Sequence, residues 1–349
     1  MYRYIGNKTK LIPNILEKVE SMIGTTGTVA DPMAGTGLVS LALRQKGYRV
    51  IASDIMTYSY HHLMVDLRIG STPSFQGLVS TGIVKANNPY DNVINYLNSL
   101  EGIKGFFFRE YSPDGKPENG APSRKYFTAQ NAMKIDAIRS TINDWKDRQL
   151  ITPNEESLLK HILILSVNDV ANISGTYGYF LSRFKKSSLR SIHLEKINIK
   201  PFNPDGNVVM QGFAEKLSKK INADLCYIDP PYTKRQYAAN YHILETIARG
   251  DNPKLIGKSG LRDWWDQHSS LCTKTAGLES FNEIIQNMQC PKFIVSYSED
   301  GLFSLEQLVN NFENIGKVSV DKINYRRFRS NQSKLPTNLH EYLICIDKE

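Results

Sequence analysis

Short apolar runs that close on an acidic residue recur along this chain. TVAD (28–31) reads as a strand ending at Asp31, and MAGTGL follows as a glycine-rich turn. VSLALRQKG then carries apolar positions at helical spacing before Gly47, and YRVIASD reads as a second strand ending at Asp54. Strand, glycine turn, helix and strand in so short a span predict a βαβ unit. A second set starts near Asn207. VVMQGF predicts a strand and its exit turn, AEKLSKKI a helix, and LCYID a buried strand running into Asp229-Pro230-Pro231-Tyr232. KFIVSYS and EYLICID predict two more strands, with VSVDKINYRRF between them a candidate for another.

Asp54 and Asp229 are 175 positions apart. A parallel crossover needs only about a dozen residues, so a large segment is expected inside the α/β domain. The pattern changes over that stretch. Loop-rich patches (STPSFQG, YSPDGKPENGAPS) precede two helical patterns, FTAQNAMKIDAIRSTINDWK and EESLLKHILILSVNDVANI. The expected organisation is therefore a discontinuous α/β domain, 1–55 with 205–349, interrupted by a mostly helical insert at 56–204.

Composition narrows the function classes. Hydrophobic residues are 41% and charged residues 22%, an ordinary globular balance. No apolar run approaches the roughly 18 residues of a membrane span, and MYRYIGNKTK has no apolar stretch of secretory type behind it. Cys226, Cys272, Cys290 and Cys345 lie far apart without a CxxC pair, against a disulfide framework or a zinc site and in keeping with a reducing cytoplasm. The net charge of +8 suits a polyanionic partner. Basic residues gather with aromatics at the end of the insert: Tyr177, Tyr179, Phe180, Arg183, Phe184, Lys185, Lys186 and Arg190.

Three short motifs carry the candidate chemistry. In Asp31-Pro-Met33-Ala-Gly35-Thr-Gly37 the glycines permit a tight turn and close approach of a ligand to the backbone, and the following helix offers free N–H groups. A dinucleotide fingerprint would need a further glycine where Ser40 stands; a ligand with a carboxylate and a ribose suits the turn better. Asp54 ends the next strand, where an acid can hold ribose hydroxyls. In Arg3-Tyr4-Ile-Gly-Asn-Lys8, Tyr4 offers a packing surface and Lys8 a partner for a carboxylate. Asp229-Pro230-Pro231-Tyr232 is the most telling. Two prolines stop both strand pairing and helix start. The result is a rigid turn with the Asp229 carboxylate and Pro230 carbonyl as acceptors beside an aromatic ring, a set that suits a planar base bearing an amino group. Asn87-Asn88-Pro89-Tyr90 mimics it without a preceding apolar strand and reads as a surface turn.

RYIGNK, DPMAGTG, the Ser53-Asp54 pair and DPPY, in that order, resemble the Dam-like alpha group (D12 class) of DNA adenine-N6 methyltransferases. The resemblance implies a Rossmann-like S-adenosylmethionine-dependent methyltransferase sheet with a target-recognition insert, S-adenosyl-L-methionine as cofactor, S-adenosyl-L-homocysteine as product, and no metal. It implies Tyr4 and Lys8 at the methionine end, Asp31, Gly35 and Gly37 lining the turn, and Asp54 at the ribose. Asp229 would lie between cofactor and amine, with Tyr232 stacked on a flipped-out base. Two positions depart from the family pattern. Met33 stands where phenylalanine is frequent, giving a thioether contact. Gln211-Gly-Phe213 stands where an acid is frequent, leaving Gln211 for the adenine edge and Phe213 for packing on it.

The partner implied is double-stranded DNA in the cytoplasm, in a restriction-modification or related bacterial or phage system, with a cognate endonuclease as functional counterpart. Candidate phosphate contacts are Arg124, Lys125, Arg183, Lys185, Lys186, Arg190, Lys234, Arg235, Arg326, Arg327 and Arg329. A cytosine-N4 methyltransferase uses the same geometry, but Asp229 favours adenine because serine is frequent there in that group. A non-catalytic DNA-binding subunit of the same fold is the alternative from another class.

Overall fold

The computed structural model describes residues 6–326 and 338–348. Seven strands form one sheet: β1 Thr28–Asp31, β2 Arg49–Asp54, β3 Val208–Gln211, β4 Leu225–Ile228, β5 Lys292–Ser298, β6 Gly316–Arg326 and β7 Asn338–Lys348. Their spatial order is β3-β2-β1-β4-β5-β7-β6. The first five are parallel, and β7 runs antiparallel to both of its neighbours. This is the mostly parallel α/β sheet that the alternating pattern predicts. Sequence order reverses between β1 and β4, so their carboxyl ends flank the crevice where ligands bind in such sheets.

The helices used below are α1 Ile12–Ile23, α2 Leu38–Gln45, α3 Ala129–Asp147, α4 Pro153–Val170, α5 His242–Arg249, α6 Gly277–Asn287 and α7 Leu305–Phe312. Side chains alternate along a strand, and β7 shows what that achieves. Tyr342, Ile344 and Ile346 join Cys226, Ile228, Phe293 and Val295 in a core closed by Phe281, Ile284 and Ile285 of α6 and Leu308 and Phe312 of α7. Glu341 points to the opposite face. Helix starts are chemically fixed: Thr152 with Glu155 and Ser304 with Gln307 form reciprocal capping boxes ahead of α4 and α7.

The chain divides into two compact units. One comprises 8–63, 206–236 and 267–349 and holds the sheet; the other comprises 1–7, 64–205 and 237–266. The second unit thus includes 237–266, which the change of texture along the sequence does not signal. Lys160 on α4 donates to the Ala248 carbonyl of α5, and Asn143 on α3 to that of Gly250. Among the described residues no helix is long and apolar enough to cross a membrane.

Candidate active site

The glycine turn after β1 takes a shape that only glycine adopts readily. Gly35 has φ 55° and Gly37 φ 79°, the left-handed region, and Gly37 is the residue from which α2 starts. Asp54 at the end of β2 fixes this turn. Its carboxylate accepts from the Gly35 N–H and from the Met56 N–H, both at 2.8 Å. Asp31 is buried beneath the turn. One oxygen accepts from Ser40 Oγ at 2.7 Å, while Oδ1 is buried without a partner. Burial pushes its carboxyl up to about 7; the Ser40 hydrogen bond pulls it down, and the charges of Asp229 and Asp54 push it further up. Met33 packs at the edge of the core. On the far side of β2, Gln211 is exposed and donates to Thr57 Oγ1, while Phe213 precedes a short helix with the Lys216 ammonium 5.2 Å over its ring.

Asp229-Pro230-Pro231-Tyr232 leaves the carboxyl end of β4, and its polar groups gather over a charged cluster from three other segments. Lys8, just before α1, is buried, with its ammonium 3.1 Å from Asp229 Oδ1 and 2.8 Å from Glu341 Oε1. It also contacts the Tyr232 hydroxyl and lies 4.4 Å from that ring's centre. The Tyr232 hydroxyl meets Asp229 Oδ1 at 2.9 Å, Glu341 Oε1 at 2.5 Å and Ser296 Oγ at 3.2 Å. Ser296 Oγ in turn donates to Glu341 at 3.1 Å. Strand register explains the convergence: Ser296 of β5 lies opposite Leu343 of β7, so Glu341 is its diagonal neighbour on the same face.

Every recorded partner of the Asp229 carboxylate meets Oδ1. Oδ2 has none among the described residues, and the side chain is 20% exposed. Burial pushes Asp229 up to about 6; Lys8 draws it down and Glu341 pushes it up. Burial alone would lower the proton affinity of Lys8, but the two carboxylates outweigh it and the net direction is upward. Tyr232 is shifted upward as well, by burial first and then by Asp229 and Glu341. The arrangement offers a held carboxylate with one oxygen turned out, beside a rigid proline carbonyl and an ordered ring.

The sequence reading places Lys8 at a ligand carboxylate; the structure turns its ammonium to Asp229, Glu341 and Tyr232. Likewise the ring of Tyr232 is only part of its contribution, since its hydroxyl is the centre of the cluster. Glu341 and Ser296 escape the sequence reading because each sits in an ordinary strand pattern with no motif around it. The mimic at 87–90 is no surface turn. Asn88 precedes the helix Pro89–Ser99, proline at its first position suits a helix start, and Tyr90 is buried against Phe75 with ring centres 6.1 Å apart.

The candidate phosphate contacts divide by exposure. Arg124 is fully buried and cannot reach a phosphate, which corrects the sequence reading. Its guanidinium donates to the carbonyls of Glu110, Gly257 and Lys258, to Asn119 Oδ1 and to the Glu110 carboxylate at 2.9 Å. Lys125 and Lys185 are half-buried with their ammonium groups on the Ser182 and Ile173 carbonyls. Arg183, Lys186, Arg190, Lys234 and Arg235 are exposed. Tyr4, Arg327, Arg329 and the side chain of Arg326 lie outside the described residues.

Residues 4–310 match the family described as D12 class N6 adenine-specific DNA methyltransferase. The chain is 34% identical to the modification methylase StsI of Streptococcus sanguinis, covering 99% of this chain and 52% of that one. It is 35% identical to the type II methyltransferase M.FokI of Planomicrobium okeanokoites, covering 99% and 53%. Against the type II methyltransferase M.NlaIII of Neisseria lactamica the identity is 32%, over 99% of both chains. The chain thus spans about half the length of the first two relatives and nearly all of the third.

Proposed function

This chain belongs to the D12 class of N6 adenine-specific DNA methyltransferases, and on that premise we propose that it methylates N6 of adenine in double-stranded DNA, using S-adenosyl-L-methionine and leaving S-adenosyl-L-homocysteine. The observation that carries the reading is the half-engaged Asp229 carboxylate, tied through Oδ1 and, among the described residues, without a partner at Oδ2. When bound, the cofactor supplies an electrophilic methyl group on a positively charged sulfur. The residues present suit it. The partnerless buried Oδ1 of Asp31 is an acceptor at the floor of a glycine turn, and Asp54 stands at the ribose position with its carboxylate already oriented by Gly35 and Met56. Met33, Gln211 and Phe213 border the same end of the sheet and are assigned to the adenine of the cofactor.

The chain's own groups act on the substrate amine. An exocyclic adenine nitrogen is a poor nucleophile because its lone pair is delocalised into the ring. Asp229 Oδ2 and the Pro230 carbonyl accept hydrogen bonds from its two N–H groups, favour a pyramidal nitrogen and aim the freed lone pair; the proton that the nitrogen sheds on gaining the methyl group passes to solvent. Positioning and electrostatic preorganisation supply the rate, with no covalent enzyme intermediate. Ionised Asp229 is the stronger acceptor and burial pushes its carboxyl up to about 6, so activity should fall as pH drops through that region. The base must first leave the duplex, at a cost of a few kcal/mol, and the Tyr232 ring offers a surface that recovers about 1–3 kcal/mol by stacking.

The unit of 64–205 with 237–266 is assigned to reading DNA. Its exposed Arg183, Lys186 and Arg190 suit phosphates, as do Lys234 and Arg235 after the proline turn. The relatives' names, modification methylase and type II methyltransferase, support a place in a restriction-modification system; a cytoplasmic location and an endonuclease of the same specificity belong to the same proposal. The test is methylation-aware sequencing of DNA from cells expressing the protein and its Asp229→Asn variant. N6-methyladenine at one motif, lost in the variant, is expected. N4-methylcytosine, or no modification by the wild-type protein, would overturn the reading.

A further inference from the structure

Glu341 has no part in the chemistry assigned above, yet one of its oxygens collects three donors: Lys8 Nζ at 2.8 Å, Tyr232 OH at 2.5 Å and Ser296 Oγ at 3.1 Å. Its side chain is buried on a strand with a neighbour on either side. A carboxylate is an expensive occupant of such a position, where an apolar residue would pack without desolvation cost. The two strongest donors are also the two that hold Asp229. Lys8 has one positive charge between two carboxylates, and Tyr232 has one hydroxyl proton between Asp229 and Glu341, with the shorter contact to Glu341.

Resting on the methyltransferase reading, we propose that Glu341 is a positioning residue for the reaction: by sharing Lys8 and the Tyr232 hydroxyl it keeps Asp229 a strong, correctly turned acceptor for the substrate amine. Two effects follow. The first is geometric. Glu341 anchors Lys8 and Tyr232 from the β7 side, so both reach the same oxygen of Asp229 and leave Oδ2 outward. The second is electrostatic. Without Glu341 the full charge of Lys8 and the Tyr232 proton fall to Asp229, which becomes a tighter ion pair and a weaker acceptor. Among the described residues, the charged and titratable groups facing Asp229 are Lys8 ahead of α1, Asp31 at the end of β1, Tyr227 on β4, Tyr232 on its own turn and Glu341 on β7. Of these, Lys8 alone is positive.

The experiment is single-turnover methyl transfer to duplex DNA across pH, with wild-type protein and Glu341→Gln. Glutamine keeps the shape and removes the charge. The variant should transfer methyl at least about tenfold more slowly at pH 8. Its acid limb should move to lower pH by roughly half a unit to one unit, because a negative charge beside Asp229 is gone. Cofactor affinity by calorimetry and the melting temperature should stay close to wild type. A wild-type rate in Glu341→Gln overturns the proposal. So does a slow variant whose acid limb has not moved, since a merely structural role predicts that result. If Glu341→Gln does not fold, Glu341→Asp keeps the charge one methylene further back; it should be slowed with its acid limb in place, and a wild-type rate there refutes the positioning role. Asp229→Asn separates the two levels. If the wild-type protein transfers no methyl group, the methyltransferase reading itself falls; if it does and Asp229→Asn turns over normally, the acceptor role of Asp229 falls and that of Glu341 with it; if Asp229→Asn is inactive while Glu341→Gln is normal, only the role of Glu341 falls.

Discussion

Asp31 should make the protein less stable than it could be, and Asp31→Asn measures by how much. Its carboxyl is buried, Oδ1 has no donor, and burial lifts its proton affinity from the ordinary 3.8 to about 7. For an acid shifted upward the folded state holds the proton more tightly than the unfolded chain. The contribution of Asp31 to stability is therefore most favourable below pH 3.8, declines as pH rises, and carries the whole cost above about 7. That interval corresponds to a cost on the order of 4 kcal/mol at pH 8. Asparagine is never charged, and its amide oxygen can still accept from Ser40. Asp31→Asn should raise unfolding stability at pH 8 by a few kcal/mol, gain little or nothing at pH 4, and flatten the slope between. The assay is urea unfolding of the full chain at several pH values, followed by circular dichroism. Cofactor titration alongside should show weaker binding, the reason for keeping a costly acid there. A variant that is destabilised at pH 8, or whose pH dependence matches wild type, would refute the reasoning.

Three further outcomes follow from the same geometry. Tyr232→Phe should slow methyl transfer about ten- to one-hundred-fold, since hydrogen bonds to charged partners are worth about 1.5–3 kcal/mol; a rate equal to wild type in stopped-time assays would restore a ring-only role. Arg124→Met should destabilise the unit of 64–205 with 237–266 by about 3 kcal/mol, because the buried Glu110 carboxylate loses its buried partner at Oε2 and keeps only the more exposed Arg109 and the Glu118 N–H at Oε1. Its salt dependence of duplex binding should match wild type, and a lowered slope would put Arg124 on DNA after all. Replacing Arg183, Lys186 and Arg190 with alanine should weaken cognate and random duplexes alike and flatten the log–log salt slope by about 0.9 per lost phosphate contact. Unchanged slope in titrations at several salt concentrations would mark them as solvated charges.

The sheet was legible because its strands carry local signals. TVAD, YRVIASD and LCYID each end in an acid or a turn, and the glycine and proline motifs mark their carboxyl ends. Residue type also sufficed to bring out Asp31, Asp54 and Asp229. It could not say which basic residue is exposed: Arg124 and Lys125 are adjacent, yet one is sealed among carbonyls and the other half-buried. Glu341 and Ser296 were illegible for a different reason. Their meeting depends on β7 entering the sheet between β5 and β6 in one register, and no local pattern encodes a pairing partner. The attachment of 237–266 to the insert-bearing unit is hidden in the same way, being a matter of α5 packing rather than of composition.

The placement of β7 has a consequence in time. Lys8 and Glu341 touch across 333 positions of sequence, and β6 gains its pairing in the sheet only through β7. A ribosome moving at about 5–20 residues per second makes the first of these partners roughly 17–67 seconds before the second. Over the last third of that interval the nascent chain carries both the glycine turn and the proline turn but not the anion that balances Lys8. Catalytic competence should therefore switch on abruptly near completion of β7 rather than grow with chain length. Non-local closure of this kind is slow, so activity should be the last property gained in refolding and the first lost when β7 is peeled away.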